Sequence, residues 1–288
     1  MLSTLAILSL GISSLGFSQE TTDDGFNPMG LKKIHKSDVM WKKTITRRLD
    51  LREKQNQPLF ARGNEMTKVI LEAVKAGIIT PYSNDSLTTK MTIDEFMLAI
   101  ELPSSGDEEE EDDWGSEDES TDDAGGWGDP EPEEEEAPVE EVKTGSGEYY
   151  FPSDLYLMDL KEDMIFDKKR SRLYYDIIAF NFFLSADHPD NIKGIDVPIA
   201  SFSYKELHDK LFVGNPEALW INPANDSEHR NLADAFELRL FHGYIIKVSN
   251  PNDEYLIDVY GGDVKTGIMA SQWKAFELLE YEHNLWEF

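Results

Sequence analysis

Residues 161–184 read KEDMIFDKKRSRLYYDIIAFNFFL, and this stretch decides the fold. From Leu173 to Leu184 it is apolar almost throughout and rich in aromatic and β-branched residues, as a strand buried on both faces requires. A second apolar run ends at Phe166. Between the two stands Asp167-Lys168-Lys169-Arg170-Ser171, where an Asp can accept backbone N–H groups and close a turn, leaving Lys168 and Lys169 pointing outward. Two strands joined by a short charged turn predict an antiparallel sheet.

Working downstream, Val197–Phe202 reads as another strand, and Ser203-Tyr204-Lys205-Glu206 has the form of a capping box opening a helix through Leu207 and Leu211. Leu232, Phe236 and Leu240 share one face of a further helix. Tyr244–Val248 and Tyr255–Tyr260 flank SNPNDE and predict an antiparallel hairpin. Gly261-Gly262 ends it, and Ile268, Trp273, Phe276, Leu279 and Tyr281 lead into a terminal helix. Strands paired antiparallel with helices at the flanks make residues 149–288 an α+β domain.

Upstream of that domain the composition changes abruptly. Residues 107–142 hold 20 Asp and Glu and no Lys or Arg, so this tract carries two thirds of the net charge of −30 on the 288-residue chain. Self-repelling and poor in apolar residues, residues 103–148 read as a disordered acidic linker. Three roles fit it: a solvated spacer, a weak buffer for Ca²⁺ or other cations, and bait for a basic partner. The carboxylates lack the alternating ligand spacing of a calcium loop. Before the tract, residues 31–102 form a small, mainly helical N-terminal region. Met66, Val69, Ile70, Ala73 and Val74 recur at helical spacing, with Gly77 placed for a left-handed cap. Thr92-Ile93-Asp94-Glu95 is a second capping box, predicting a helix to about Leu102. The segment DVMWKKTITRRLDLREKQNQPLF, 38–60, fits neither the helical nor the strand period, and its conformation stays open.

At the start, MLSTLAILSLGISSLGFSQE joins an apolar stretch to the small-residue exit Gly16-Phe17-Ser18. This pattern predicts a signal peptide over 1–18 and a flexible leader over 19–30; a short buried helix is the alternative. No other stretch is long and apolar enough for a membrane-spanning helix, so direct membrane insertion is not expected. The chain has no Cys, which excludes disulfides, lipid attachment through Cys, thiol nucleophiles and thiolate metal sites. An exported chain of this kind depends on packing or assembly for its stability.

The acidic balance argues against nucleic-acid binding, which needs clustered cations. No GxSxG elbow, phosphate loop, HExxH or GxGxxG is present, and the six His are scattered without metal-site spacing. An enzyme is not expected, nor a cofactor or metal. Two charged clusters remain. One is Arg47-Arg48-Leu49-Asp50-Leu51-Arg52-Glu53-Lys54-Gln55-Asn56, and the other is the turn at Phe166–Arg172. Arg pairs carboxylates bidentately, so alternating Arg and acid suits either a partner interface or an internal ion-pair clasp.

Taken together, LDLREKQNQPLF, MIFDKKRSRLYYDIIAF, FHGYIIKVSNPNDEYLIDVYGGD and the closing FELLEYEHNLWEF resemble the GldN (PorN) family of gliding-motility and type IX secretion proteins of the Bacteroidetes. The likeness runs over about 39–102 and 156–288. It implies a non-enzymatic periplasmic subunit, self-associating in a ring at the inner face of the outer membrane. Its implied partners are the lipoprotein GldK (PorK) and the periplasmic part of the motor protein GldM (PorM). The first cluster matches the family's motif at Arg48, Asp50, Leu51, Arg52, Glu53, Lys54 and Asn56, and the second at Phe166, Asp167, Arg170 and Ser171. The acidic tract is no part of that pattern. A different class of reading is an exported binding protein that captures Ca²⁺ or a basic partner through the tract.

Overall fold

The computed structural model describes residues 25–102, 148–191 and 193–286. The expected signal peptide, the first half of the expected leader (19–24) and nearly all of the acidic tract lie outside the described residues. In chain order the elements are β1 (Val39–Asp50), β2 (Phe60–Ala61), β3 (Asn64–Glu65), α1 (Met66–Lys75), α2 (Ile93–Ala99), β4 (Leu157–Asp167), β5 (Arg172–Leu184), β6 (Val197–Ser203), α3 (Tyr204–Leu207), β7 (Leu219–Trp220), β8 (Arg230–Asn231), α4 (Leu232–Glu237), β9 (Tyr244–Val248), α5 (Leu256–Val259) and α6 (Val264–Leu285). The fold is α+β, centred on a five-stranded antiparallel sheet in the order β6-β5-β4-β1-β9.

The β4–β5 hairpin is the expected one, closed by Asp167 opposite Arg172. The segment left open by its period is β1, a 12-residue strand lying between β4 and β9. Its polar residues meet the carboxylates of β4: Arg48 stands opposite Asp159 and Thr44 opposite Asp163 in register, while Arg47 and Lys42 reach Glu162 and Asp163 diagonally. Cross-strand pairing of opposite charge lets a strand with polar residues on both faces sit inside a sheet. The sequence reading sets 31–102 apart from 149–288; the sheet joins them, because β1 pairs with β4 along its whole length. The flanks of the tract also meet: Glu101 bridges Tyr149, the Leu102 N–H donates to the Glu148 carbonyl at 2.9 Å, and the Tyr150 N–H donates to Ile100 at 2.9 Å.

The main core packs α1, α2, α3 and α4 on one sheet face, with Leu49, Leu51, Met66, Ile70 and Val74 meeting Phe96, Phe180, Phe202, Phe212 and Phe236. A smaller cluster of Ile45, Met164, Ile245, Val248, Leu256 and Ala270 lies under α6. Helix α1 ends as expected, with Gly77 at φ +69° and Ile78 N–H donating back to Ala73. The capping box of α2 forms in both directions, Glu95 N–H to Thr92 Oγ1 at 3.2 Å and Thr92 N–H to Glu95 Oε2 at 2.6 Å. Ser203 holds the N-cap position of α3, but its side chain makes no cap bond, so the box expected over Ser203–Glu206 is absent.

Two expectations are corrected. The second arm of the 244–260 hairpin is the helix α5, and among the described residues β9 pairs only with β1. The Asn250 side chain accepts the Glu254 N–H at 3.0 Å and donates to the Glu254 carbonyl at 2.9 Å, turning the chain out of the sheet and dropping Leu256 beneath α6. Helix α4 stops at Glu237, and Arg239 at φ +56° breaks the turn before Leu240, which still packs on the core.

Candidate functional site

Arg48 leaves β1 and forks onto Asp159, with Nε–Oδ1 2.7 Å and Nη2–Oδ2 3.0 Å, while Nη1 reaches Asp196 at 2.6 Å. Its guanidinium lies 5.3 Å from the Phe183 ring centroid. Asp159 is 2% exposed. Burial pushes its carboxyl above the usual range, against the hydrogen bond and charge of Arg48. Burial acts to lower the Arg48 pKa, but Asp159 and Asp196 outweigh it and hold the guanidinium charged.

Past β1 the first motif makes a turn. Arg52 folds back on Asp50 at 2.9 Å and stacks 3.4 Å over the Tyr156 ring. Glu53 approaches the His242 ring at 2.9 Å. Asn56 is fully buried; its amide donates to the carbonyls of Asp50 at 2.8 Å and His242 at 2.9 Å, and its oxygen accepts the His242 N–H at 2.7 Å. Two of these bonds tie the turn to the segment entering β9, and the third closes it on Asp50.

The second motif closes the β4–β5 turn. Asp167 Oδ1 accepts the N–H groups of Lys169 at 2.8 Å and Arg170 at 3.2 Å, and Oδ2 takes the Arg170 guanidinium at 2.7 Å. Covering the carboxylate works against ionisation, but these bonds win and hold Asp167 below its ordinary pKa. Ser171 adopts φ +48°. Phe166 is buried edge-on against Trp286, and the Lys168, Lys169 and Arg170 side chains face solvent. Asp159 and Asp167 lie near opposite ends of β4, about 26 Å apart at strand rise. The structure does not bring the two motifs together.

Between them runs a ladder of ion pairs that reading the motifs alone misses. Glu162, fully buried, takes Arg47 at 2.5 Å and Arg239 at 2.6 and 3.1 Å, and Arg239 also stacks 4.3 Å from the Tyr175 centroid. Asp163 takes Lys42 at 2.7 Å and the Thr44 hydroxyl at 2.6 Å. The available signal was the opposite net charge of two stretches, the basic KKTITRR and the acidic DLKEDMIFD.

On β5, Asp176 holds the strap entering β1. Its Oδ1 accepts the N–H groups of Leu31 at 2.9 Å and Lys32 at 3.1 Å, whereas the buried Oδ2 has no hydrogen-bond partner. A side chain at Gly30 would put its Cβ 1.9 Å from Oδ2, so only glycine lets the strap approach. Burial, with a smaller push from Asp163, raises the Asp176 pKa above the carboxylate range despite the two N–H bonds.

Among the described residues, α6 leaves much of its apolar surface uncovered. It touches the body through Ala270, Ser271 and Leu278, through Tyr281 at 4.8 Å from Trp41, and through Trp286 on Phe166. Its other side presents Val264, Ile268, Met269, Trp273, Phe276 and Leu279 to solvent, with Trp273 68% and Phe276 69% exposed. Where α6 starts, Val264 and Ile268 also border a groove of about 750 Å³ shared with Tyr244, Tyr255 and Phe183. A helix apolar on most sides is ordinarily buried, and a patch of this kind marks an interaction surface.

Among the described residues no three His, Asp or Glu converge as a metal site, and no helix is long and apolar enough to cross a membrane. No curated protein matches the chain. The family model of the gliding motility associated protein GldN matches residues 34–287, spanning β1, both motifs and α6, so the chain belongs to this family and with it to the gliding-motility and type IX secretion machinery.

Proposed function

We propose that this chain is a non-enzymatic structural subunit of that machinery. It works in the periplasm, in a ring held at the inner face of the outer membrane by a lipoprotein of the GldK (PorK) class and driven through the GldM (PorM) motor. The observation that carries this reading is the apolar face of α6, left uncovered by the described residues, on a body whose buried Asp159, Glu162 and Asp163 are paired with cations from within the chain. Such a surface suits permanent assembly. Arg48, Asn56 and Asp167 serve as internal clasps, while Lys54, Lys168 and Lys169 supply charge for steering a partner.

Co-expression with the lipoprotein encoded alongside it tests the reading. The expected product is a large complex in size-exclusion chromatography, ring-shaped by negative-stain microscopy and still formed after deletion of residues 107–141. A chain that elutes alone beside the lipoprotein overturns it.

A further inference from the structure

From the α6 surface we infer that the helix pairs antiparallel with α6 of a second copy of this chain, crossing near Trp273 and Phe276. Three features of the helix favour its own copy as occupant. The first is area. Trp273, Phe276 and Trp286, 53–69% exposed, leave roughly 300–500 Å² of aromatic surface at about 150–250 Å² per ring. With Val264, Ile268, Met269 and Leu279 the face approaches the ~800 Å² per partner of a standard interface.

The second is charge. The first half of α6 carries Lys265 and Lys274, and the second half carries Glu277, Glu280 and Glu282. An antiparallel partner sets Lys265 of one copy beside the Glu280–Glu282 turn of the other, twice by symmetry, and aligns the helix dipoles favourably. A parallel partner would set like charges together. The third is shape. In that arrangement the Trp286 end of one helix arrives beside the groove of about 750 Å³ at the start of the other, where Val264 and Ile268 wait with Tyr244 and Tyr255. The acidic excess that would oppose self-association sits mainly in residues 107–142, away from α6 in sequence.

This inference rests on the scaffold reading but fails separately from it. A chain that dimerises yet never joins the lipoprotein removes the scaffold reading alone, and a monomer that still joins removes only the pairing.

Sedimentation of the full chain by itself, across micromolar concentrations, is the test. A reversible dimer is expected, weakened at least roughly a hundredfold by Trp273→Glu with Phe276→Glu. Both side chains are mostly in solvent, so the monomer's circular dichroism should not change. Lys265→Glu and Glu280→Lys should each weaken the dimer about two- to fivefold, and a mixture of the two variants should recover it as a heterodimer. A monomer at every concentration, a dimer indifferent to the double substitution, or charge variants that fail to recover on mixing would each overturn the proposal.

Discussion

Arg48 and Arg52 stand four residues apart in one motif, yet the structure assigns them very different weights. Arg48→Ala removes both hydrogen bonds to Asp159 and leaves a carboxylate that is 2% exposed without a cation. Breaking a buried pair from one side costs about 3–5 kcal/mol, and losing the Phe183 contact adds ~0.5 kcal/mol. Arg52 is about half exposed, pairs with a near neighbour and stacks on Tyr156. Its truncation should cost about 1 kcal/mol. At about 2–4 °C per kcal/mol for a chain of this size, thermal unfolding should fall roughly 7–22 °C for Arg48→Ala and roughly 2–4 °C for Arg52→Ala. The Arg48 variant carries a second signature. Asp159 is already held above its usual pKa by burial, and without Arg48 nothing opposes that rise. The folded state then binds a proton more tightly than the unfolded state, so stability lost at neutral pH returns as the pH falls through the raised value. Equal losses for the two variants, or an Arg48→Ala loss that does not change with pH, would refute this account of the pair. A loss of function in an Arg48→Ala protein would therefore report on folding before it reported on an interface.

Asp176→Asn keeps an oxygen for the Leu31 and Lys32 N–H groups and removes a buried charge. Because the folded pKa is raised, the wild-type carboxylate opposes folding at neutral pH, and this penalty fades as the pH drops through that pKa. The variant should be the more stable protein near neutrality in urea titrations, with the advantage shrinking on acidification; a pH-independent deficit would contradict this. Asn56→Asp should be more damaging than Asn56→Ala, since it aims a carboxylate at the Asp50 and His242 carbonyls that the amide now bonds. A loss of about 2–4 kcal/mol is expected for Asn56→Ala in the same titration, and a loss for Asn56→Asp no greater than that would show the three bonds are not the source of its importance.

The hairpin was legible because β5 is apolar enough to exclude other readings and Asp167 marks the turn. Strand β1 was not, because Lys42, Arg47 and Arg48 interleave with Ile45 and Leu49, and a periodicity rule scores such charges as solvent-facing. Their neutralising partners lie more than a hundred residues later, on β4. Residues 255–260 misled for a related reason: a run this short fits a strand or one helical turn, and the side chain of Asn250 decides between them. For the site, the motifs themselves could be read but their separation could not, since it depends on the β1–β4 register. Helix α6 was expected, but the spacing of its apolar residues says nothing about how much of the chain is there to cover them.

The meeting of residues 100–102 with 148–150 makes the acidic tract an insertion within one cooperative unit. A protease cut between 103 and 147 would leave two fragments still laced together by β1 and β4, separable only by denaturation. Because the ends are already pinned, doubling the number of residues between them adds only ~0.6 kcal/mol of closure entropy. Evolution and engineering are thus both free to lengthen, shorten or replace that stretch while the sheet stays as it is, and a fluorescent domain spliced there would ride on the folded chain without entering its core.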